Sequence, residues 1–157
     1  MIKNQLVYCY IMVNKLIIYF DGASKGNPGL AGAGAYIEAE PFQEKYQFKL
    51  TKYLGRKTNN QAEYQGLILG LEKTLELLND GLEINELLIK GDSQLVIEQI
   101  LGNWRVKSQN LIDLYEKCIF LLNKITNFGV HYKAVHLRRN LNSKADELAN
   151  EAILNRV

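Results

Sequence analysis

Two short apolar runs, each terminated by an aspartate, set the tightest limit on how this chain can fold. Leu16-Ile17-Ile18-Tyr19-Phe20 runs into Asp21, and the largely apolar stretch Ile84 to Gly91 runs into Asp92. Continuous apolar runs of this length mark strands covered on both faces, the usual state of parallel strands in α/β proteins. Between them lies a long helical pattern, Asn60 to Asn79, with Tyr64, Leu67, Ile68, Leu71, Leu75 and Leu78 at helical spacing. A strand, a helix-bearing crossover and a second strand predict parallel neighbours in one sheet.

The remaining elements follow from the same periodicities. Asp21 to Gly29 reads as a glycine-rich loop, Gly32 to Glu40 as a second strand, and Tyr46 to Leu54 as a third, turned at Pro41. Thr58, Asn59 and Asn60 are each candidates to cap the long helix, and Asp92 or Ser93 opens a short helix reaching about Leu101. Asn110 to Lys124 is a further helix, Phe128 to Leu137 a fifth strand, and Ser143 to Leu154 a closing helix. The order βββαβααβα predicts an α/β fold, with a five-stranded mixed sheet in the order 3-2-1-4-5 and helices on both faces.

Composition narrows the class further. A chain of 157 residues predicts one domain, residues 1–157, with 1–14 as an N-terminal extension. Its 47% apolar and 23% charged residues exclude disorder and low complexity. A net charge of +2 is too small to argue for a nucleic-acid partner by itself. Cys9 and Cys118 have neither metal spacing nor a disulfide framework, which fits reduced thiols and a cytoplasmic location. The N-terminal stretch Met1 to Val13 is interrupted by Asn4 and Gln5 and has no small-residue cleavage site, so it does not read as a signal peptide. No stretch approaches the ~18 apolar residues of a membrane span. Both Met1 and Met12 are available as starts, and Gln5 to Val13 either lengthens strand one or covers a sheet edge.

The predicted topology gathers acids. Asp21 follows strand one and Asp92 follows strand four, so parallel neighbours about 4.8 Å apart bring both carboxylates to one sheet end. Glu63 is expected in the first turn of the long helix, and Asp146 in the first turn of the last. Taken singly, Asp21 and Asp92 also read as loop starters or helix caps, and Glu63 and Asp146 as complements to helix N-termini. Four acids at one point repel one another and require a counter-charge. No lysine or arginine has the spacing to supply it, whereas Mg²⁺ with carboxylate, water and phosphate ligands does.

The motifs resemble those of ribonuclease H, type 1. Asp21-Gly22-Ala23-Ser24-Lys25-Gly26-Asn27-Pro28-Gly29 is similar to that family's opening motif, and Thr58-Asn59-Asn60-Gln61-Ala62-Glu63 to its second. Gly91-Asp92-Ser93-Gln94 resembles the third, and Asn142-Ser143-Lys144-Ala145-Asp146-Glu147-Leu148-Ala149 the fourth. They occur in family order, and the similarity spans about Leu16 to Asn155.

The resemblance implies a ribonuclease H-like fold and an endonuclease that hydrolyses the RNA strand of RNA/DNA hybrids, leaving a 5′-phosphate and a 3′-hydroxyl. It implies two Mg²⁺ ions, replaceable by Mn²⁺, held by Asp21, Glu63, Asp92 and Asp146, with Asp21 between the ions and Glu63 also near a ribose hydroxyl. Ser24, Gly26 and Asn27 match ribose contacts, and Asn59 and Asn60 match minor-groove contacts. Arg56 and Thr58 match a phosphate pocket on the DNA strand, with Lys57 beside them. Trp104 matches an aromatic that flanks the deoxyribose, or else covers the core. Arg105 and Lys107 read either as phosphate contacts or as a solvated loop. His136 has the spacing of an auxiliary histidine but also lies within a strand pattern, and Arg138 or Arg139 is the alternative cation there. The basic handle of some relatives is not expected, because only Gly102 to Gln109 is available, and no N-terminal hybrid-binding domain is expected, because only about 15 residues precede strand one. This brevity resembles the compact archaeal and plant-like subgroup, and it predicts salt-sensitive affinity. No membrane and no obligate protein partner is expected. A non-catalytic hybrid-binding module and a nuclease of different specificity are the alternatives on the same fold.

Overall fold

The computed structural model describes residues 12–157. The expectations for Cys9 and for the stretch from Gln5 lie wholly or mainly outside the described residues. Five strands, β1 (Lys15–Lys25), β2 (Gly29–Glu40), β3 (Phe48–Lys57), β4 (Glu86–Gly91) and β5 (His131–His136), form one sheet in the order β3-β2-β1-β4-β5. β1, β2 and β3 are antiparallel, whereas β1, β4 and β5 run parallel. Four α-helices accompany them: α1 (Asn59–Asn79), α2 (Gln94–Ile100), α3 (Gln109–Thr126) and α4 (Ser143–Asn155). Short 3-10 turns at Glu44–Tyr46 and Arg139–Leu141 complete the order.

Alternation along β1 divides the sheet between two helical layers. Leu16, Ile18 and Phe20 are fully buried on the α1 side, where Ile18 lies against Gly70. On the other face Gly32 and Gly34 of β2 lie against Ala149 of α4. Tyr64, Leu67 and Leu71 of α1 are buried in the core, each worth about 1.5–3 kcal/mol of apolar transfer. Thr58 is the residue that caps α1. Its side chain accepts from Gln61 N–H while the Gln61 side chain accepts from Thr58 N–H. Ser93 caps α2.

Three expectations require correction. β1 does not stop at Phe20. It continues to Lys25, paired with β2 from Asp21↔Gly34 to Lys25↔Leu30, so the expected loop shrinks to a turn around Gly26. Small residues carry this extension, and a ladder of backbone bonds needs no apolar side chains. Glu63 lies in the second turn of α1, because Thr58 rather than Asn59 or Asn60 is the cap. β5 is shorter than Phe128 to Leu137, because Phe128 belongs to the turn closed by Gly129 at φ 82°.

Candidate functional site

The pairing of β1 with β4 ends at Phe20↔Gly91. β1 continues past that point, so Asp21 stands where the sheet is open on its β4 side, with Asp92 immediately after Gly91. This is the crevice beyond the carboxyl ends of parallel strands where α/β folds place their ligands. α1 closes on the same point. An added Cβ at Gly22 would lie 2.1 Å from the Ala62 carbonyl carbon, and one at Gly66 would lie 2.4 Å from the Asp21 carbonyl oxygen. Both glycines let the helix backbone rest on the strand backbone, and Glu63 arrives beside Asp21.

Asp21, Glu63 and Asp92 each offer a carboxylate oxygen, and these atoms all lie within 4.8 Å of one another. Asp21 is only 3% exposed. Burial, reinforced by repulsion from Asp92, pushes its carboxyl up to about 8. Burial and then the charges of Asp21 and Asp92 push Glu63 well above the usual carboxylate range. Gly22 N–H donates to Asp21 Oδ1 at 2.9 Å, but Glu63 Oε2 is buried with no hydrogen-bond partner. Three crowded carboxylates with an orphaned oxygen fit a hard divalent cation, which supplies the charge and ligand demand that the protein leaves unmet.

Asp146 does not join this trio, but it lines the same cleft of about 760 Å³. It sits in the first turn of α4 as expected. Asn150 Nδ2 donates to its carbonyl at 2.9 Å, and Lys25 Nζ in turn donates to Asn150 Oδ1 at 3.1 Å. Arg139 lies 4.0 Å from Asp146 Oδ1 with an 83% exposed side chain, too loose and wet a pair to fix that carboxylate. His136 is a strand residue, the last of β5, and it also lines the cleft. Its Nε2 lies 3.1 Å from the Asp92 carbonyl oxygen, so it carries the proton and donates.

Most of the other expected contact residues divide between two adjoining clefts. Ser24 and Asn59 line the acidic cleft. Asn27, Thr58 and Asn60 line a second one of about 460 Å³, together with Arg105, Lys107 and Asn110. Asn59 N–H donates to Asn27 Oδ1 at 3.0 Å, tying the β1–β2 turn to the start of α1 between the clefts. Ser24 Oγ donates to Lys57 O at 2.9 Å and lies against Gly26 O. Gly26 takes φ 98°, a conformation that favours glycine. Arg56 is exposed near the end of β3 and lines neither cleft. Trp104 is 45% exposed, which removes the core-covering reading.

Sequence reasoning gave no individual role to three asparagines. Asn142, 1% exposed, donates through Nδ2 to Phe20 O at 2.9 Å and lies 3.4 Å from Asp92 Oδ1, which braces α4 against β1. Asn150 stands one helical turn beyond Asp146, a spacing that could have flagged it. Asn110 comes from the first turn of α3, and nothing local in the sequence points to it.

The reverse transcriptase-like family matches residues 19–152. A protein named ribonuclease H from Ruthia magnifica subsp. Calyptogena magnifica is 31% identical over 146 residues, covering 90% of this chain and 97% of that protein. The chain belongs to the ribonuclease H family. The bifunctional protein Rv2228c of Mycobacterium tuberculosis is 37% identical over 139 residues, covering 88% of this chain and 35% of the relative, so the chain spans about a third of that protein. A solved N-terminal RNase H domain of Rv2228c superposes with a TM-score of 0.78 at 36% identity, covering 88% of this chain and 98% of that one. LC11-RNase H1, solved in complex with an RNA/DNA hybrid, gives 0.77 at 35% identity, covering 90% and 98%. As in other ribonuclease H chains, a five-stranded mixed sheet here carries helices, and its acidic residues can hold a divalent metal. No helix among the described residues is long and apolar enough to cross a membrane.

Proposed function

We propose that this chain is a divalent-metal-dependent endonuclease that hydrolyses the RNA strand of RNA/DNA hybrids, leaving 5′-phosphate and 3′-hydroxyl ends. The observation that carries this reading is the pairing of two clefts. One holds the clustered carboxylate oxygens of Asp21, Glu63 and Asp92, and the other, beyond the Asn27–Asn59 bond, is lined by Arg105, Lys107 and polar amides. An acidic centre beside a cationic one suits a duplex whose scissile strand meets metal while its partner strand meets side-chain charge. The likeness to a ribonuclease H solved on a hybrid supports the substrate class.

Asp21, Glu63 and Asp92, with Asp146 on the same cleft, would hold the metal. We take the metal as two Mg²⁺ ions, with Mn²⁺ able to substitute. Bound divalent cations supply the positive charge that activates water and stabilises a leaving 3′-oxygen. The protein supplies the placement. Gly22 and Gly66 seat α1 so that Glu63 reaches the acids, and Asn142 holds Phe20 and Asp92 in register. His136 steadies the Asp92 carbonyl and, with Arg139, faces the cleft as an auxiliary group for the departing product.

Recognition of RNA falls to Ser24, Gly26, Asn59 and Asn27, whose amide nitrogen is left to meet a 2′-hydroxyl while its oxygen holds Asn59. The DNA strand is held by Thr58, Asn60 and the cations of the second cleft, with the exposed Arg56 and Trp104 as further contacts. The test compares an end-labelled RNA/DNA hybrid with single-stranded RNA, double-stranded RNA and double-stranded DNA, each with Mg²⁺ and with chelator. Internal cuts confined to the hybrid's RNA are expected. Hybrid binding without cleavage in Mg²⁺ or Mn²⁺ would replace the enzyme with a binding module, and cutting from one end would replace it with an exonuclease.

A further inference from the structure

The connection between α2 and α3, residues 102–108, has no regular secondary structure, brings Arg105 and Lys107 to the second cleft, and carries Trp104 next to them in the chain. Its first residues are fastened to the end of α2. Gly102 N–H donates to Gln99 O at 3.0 Å, and the N–H groups of Asn103 and Trp104 donate to Glu98 O at 2.9 and 3.2 Å. Past Trp104 the tether changes kind. The Gln99 side chain, 5% exposed, reaches through Nε2 to the Arg105 carbonyl at 3.4 Å. Its Oε1 accepts from the Tyr64 hydroxyl at 2.5 Å, and Tyr64 is fully buried.

Tyr64 is the residue after Glu63. Successive helical residues point about 100° apart, so one segment of α1 delivers a carboxylate to the acids and a phenol to α2. The phenol, the amide and the Arg105 carbonyl make a chain, buried at Tyr64 and Gln99, that runs from the helix bearing Glu63 to the loop that bears the cations. A buried amide holds its orientation when both ends are satisfied, and Tyr64 fixes the end that would otherwise turn.

We infer that Tyr64 and Gln99 are a positioning pair that sets the α2–α3 loop against the acidic centre, and thereby governs affinity for the hybrid rather than the rate of cleavage. The inference rests on the proposed function, in which that loop meets the substrate. Tyr64 is fully buried, whereas Gln99, 5% exposed, also lines the second cleft, so Tyr64→Phe is the variant that tests positioning alone. Tyr64→Phe removes one donor, and Gln99→Met removes both side-chain bonds at similar volume.

Trp104 is the single tryptophan of the chain, so its quenching by acrylamide reports the loop directly. Both variants are expected to raise the quenching constant and to raise KM for the hybrid roughly fivefold, about the factor of one net hydrogen bond, with kcat held within about twofold. Leu78→Ala, a core change at the far end of α1, should lower Tm while leaving quenching and KM alone. Unchanged quenching and KM in both variants overturns the inference, as does an equal change in Leu78→Ala. If the unmodified protein cleaves no hybrid, the functional reading fails with its affinity claim, and the quenching result alone decides whether the pair holds the loop.

Discussion

Glu63 meets Asp21 across a helix–strand contact that leaves no room for a side chain at Gly22 or Gly66. The carboxylates are brought together by backbone contact, and their mutual repulsion is built into the fold.

That repulsion has a measurable sign in metal-free protein. Asp21 is raised from 3.8 to about 8, so the folded state binds the proton more tightly than the unfolded chain does. The stability this gives is fully present below about pH 4 and is lost as pH rises through 8, at up to about 1.4 kcal/mol per pH unit. Asp21→Asn is therefore expected to raise the Tm of chelator-treated protein at pH 8 and to leave it nearly unchanged at pH 4. Thermal unfolding across that range checks the difference, and a Tm gap independent of pH would contradict it. Saturating Mg²⁺ should stabilise the unmodified protein more at pH 8 than at pH 5, because cation and proton compete.

Gly66→Ala forces a methyl group to 2.4 Å from the Asp21 carbonyl oxygen. The helix must shift, so a stability loss of about 1–3 kcal/mol is expected, with a fall in kcat greater than tenfold. Urea unfolding and single-turnover cleavage measure the two effects. Normal activity in this variant would show that the close approach of α1 is not what places Glu63.

Loss of Asn142 removes the brace between Phe20 O and Asp92. Asn142→Ala should cost about 1–3 kcal/mol, the penalty of leaving a buried acceptor unpaired. Cleavage should slow with KM little changed. A rise in KM alone would place Asn142 in substrate binding instead.

For the second cleft the expected signature is salt dependence. Lys107→Ala should weaken hybrid binding and reduce the slope of log K against log salt by about 1. An unchanged slope would return Lys107 to the solvated loop.

The sequence was legible where chemistry and periodicity coincide. The apolar runs before Asp21 and Asp92 give the parallel strands, and the spacing from Tyr64 to Leu78 gives α1. Three of the four motifs carry the acids that converge, Asp21, Glu63 and Asp92, and the fourth carries Asp146, which stands apart from them on the same cleft. β1 was read too short because Gly22, Ala23 and Ser24 continue a strand through backbone pairing alone, with no apolar signal. Glu63 falls in the second turn rather than the first because Thr58, Asn59 and Asn60 are all good caps, and only the reciprocal bond with Gln61 decides among them. Asn110 and the Tyr64–Gln99 bond join elements distant in sequence, and no local pattern encodes such contacts.

In the proposed reaction the Asp21 carboxylate is chemically essential, at a centre that binds its substrate independently. The direct measurement is single-turnover cleavage of an internally cut RNA/DNA hybrid by the unmodified protein and by Asp21→Asn, in Mg²⁺ and in chelator, with hybrid binding measured alongside. Internal RNA cuts are expected from the unmodified protein in Mg²⁺ alone, with no cuts from Asp21→Asn and hybrid affinity retained in both. Cleavage by Asp21→Asn at the unmodified rate, or undiminished cleavage in chelator, would contradict this expectation.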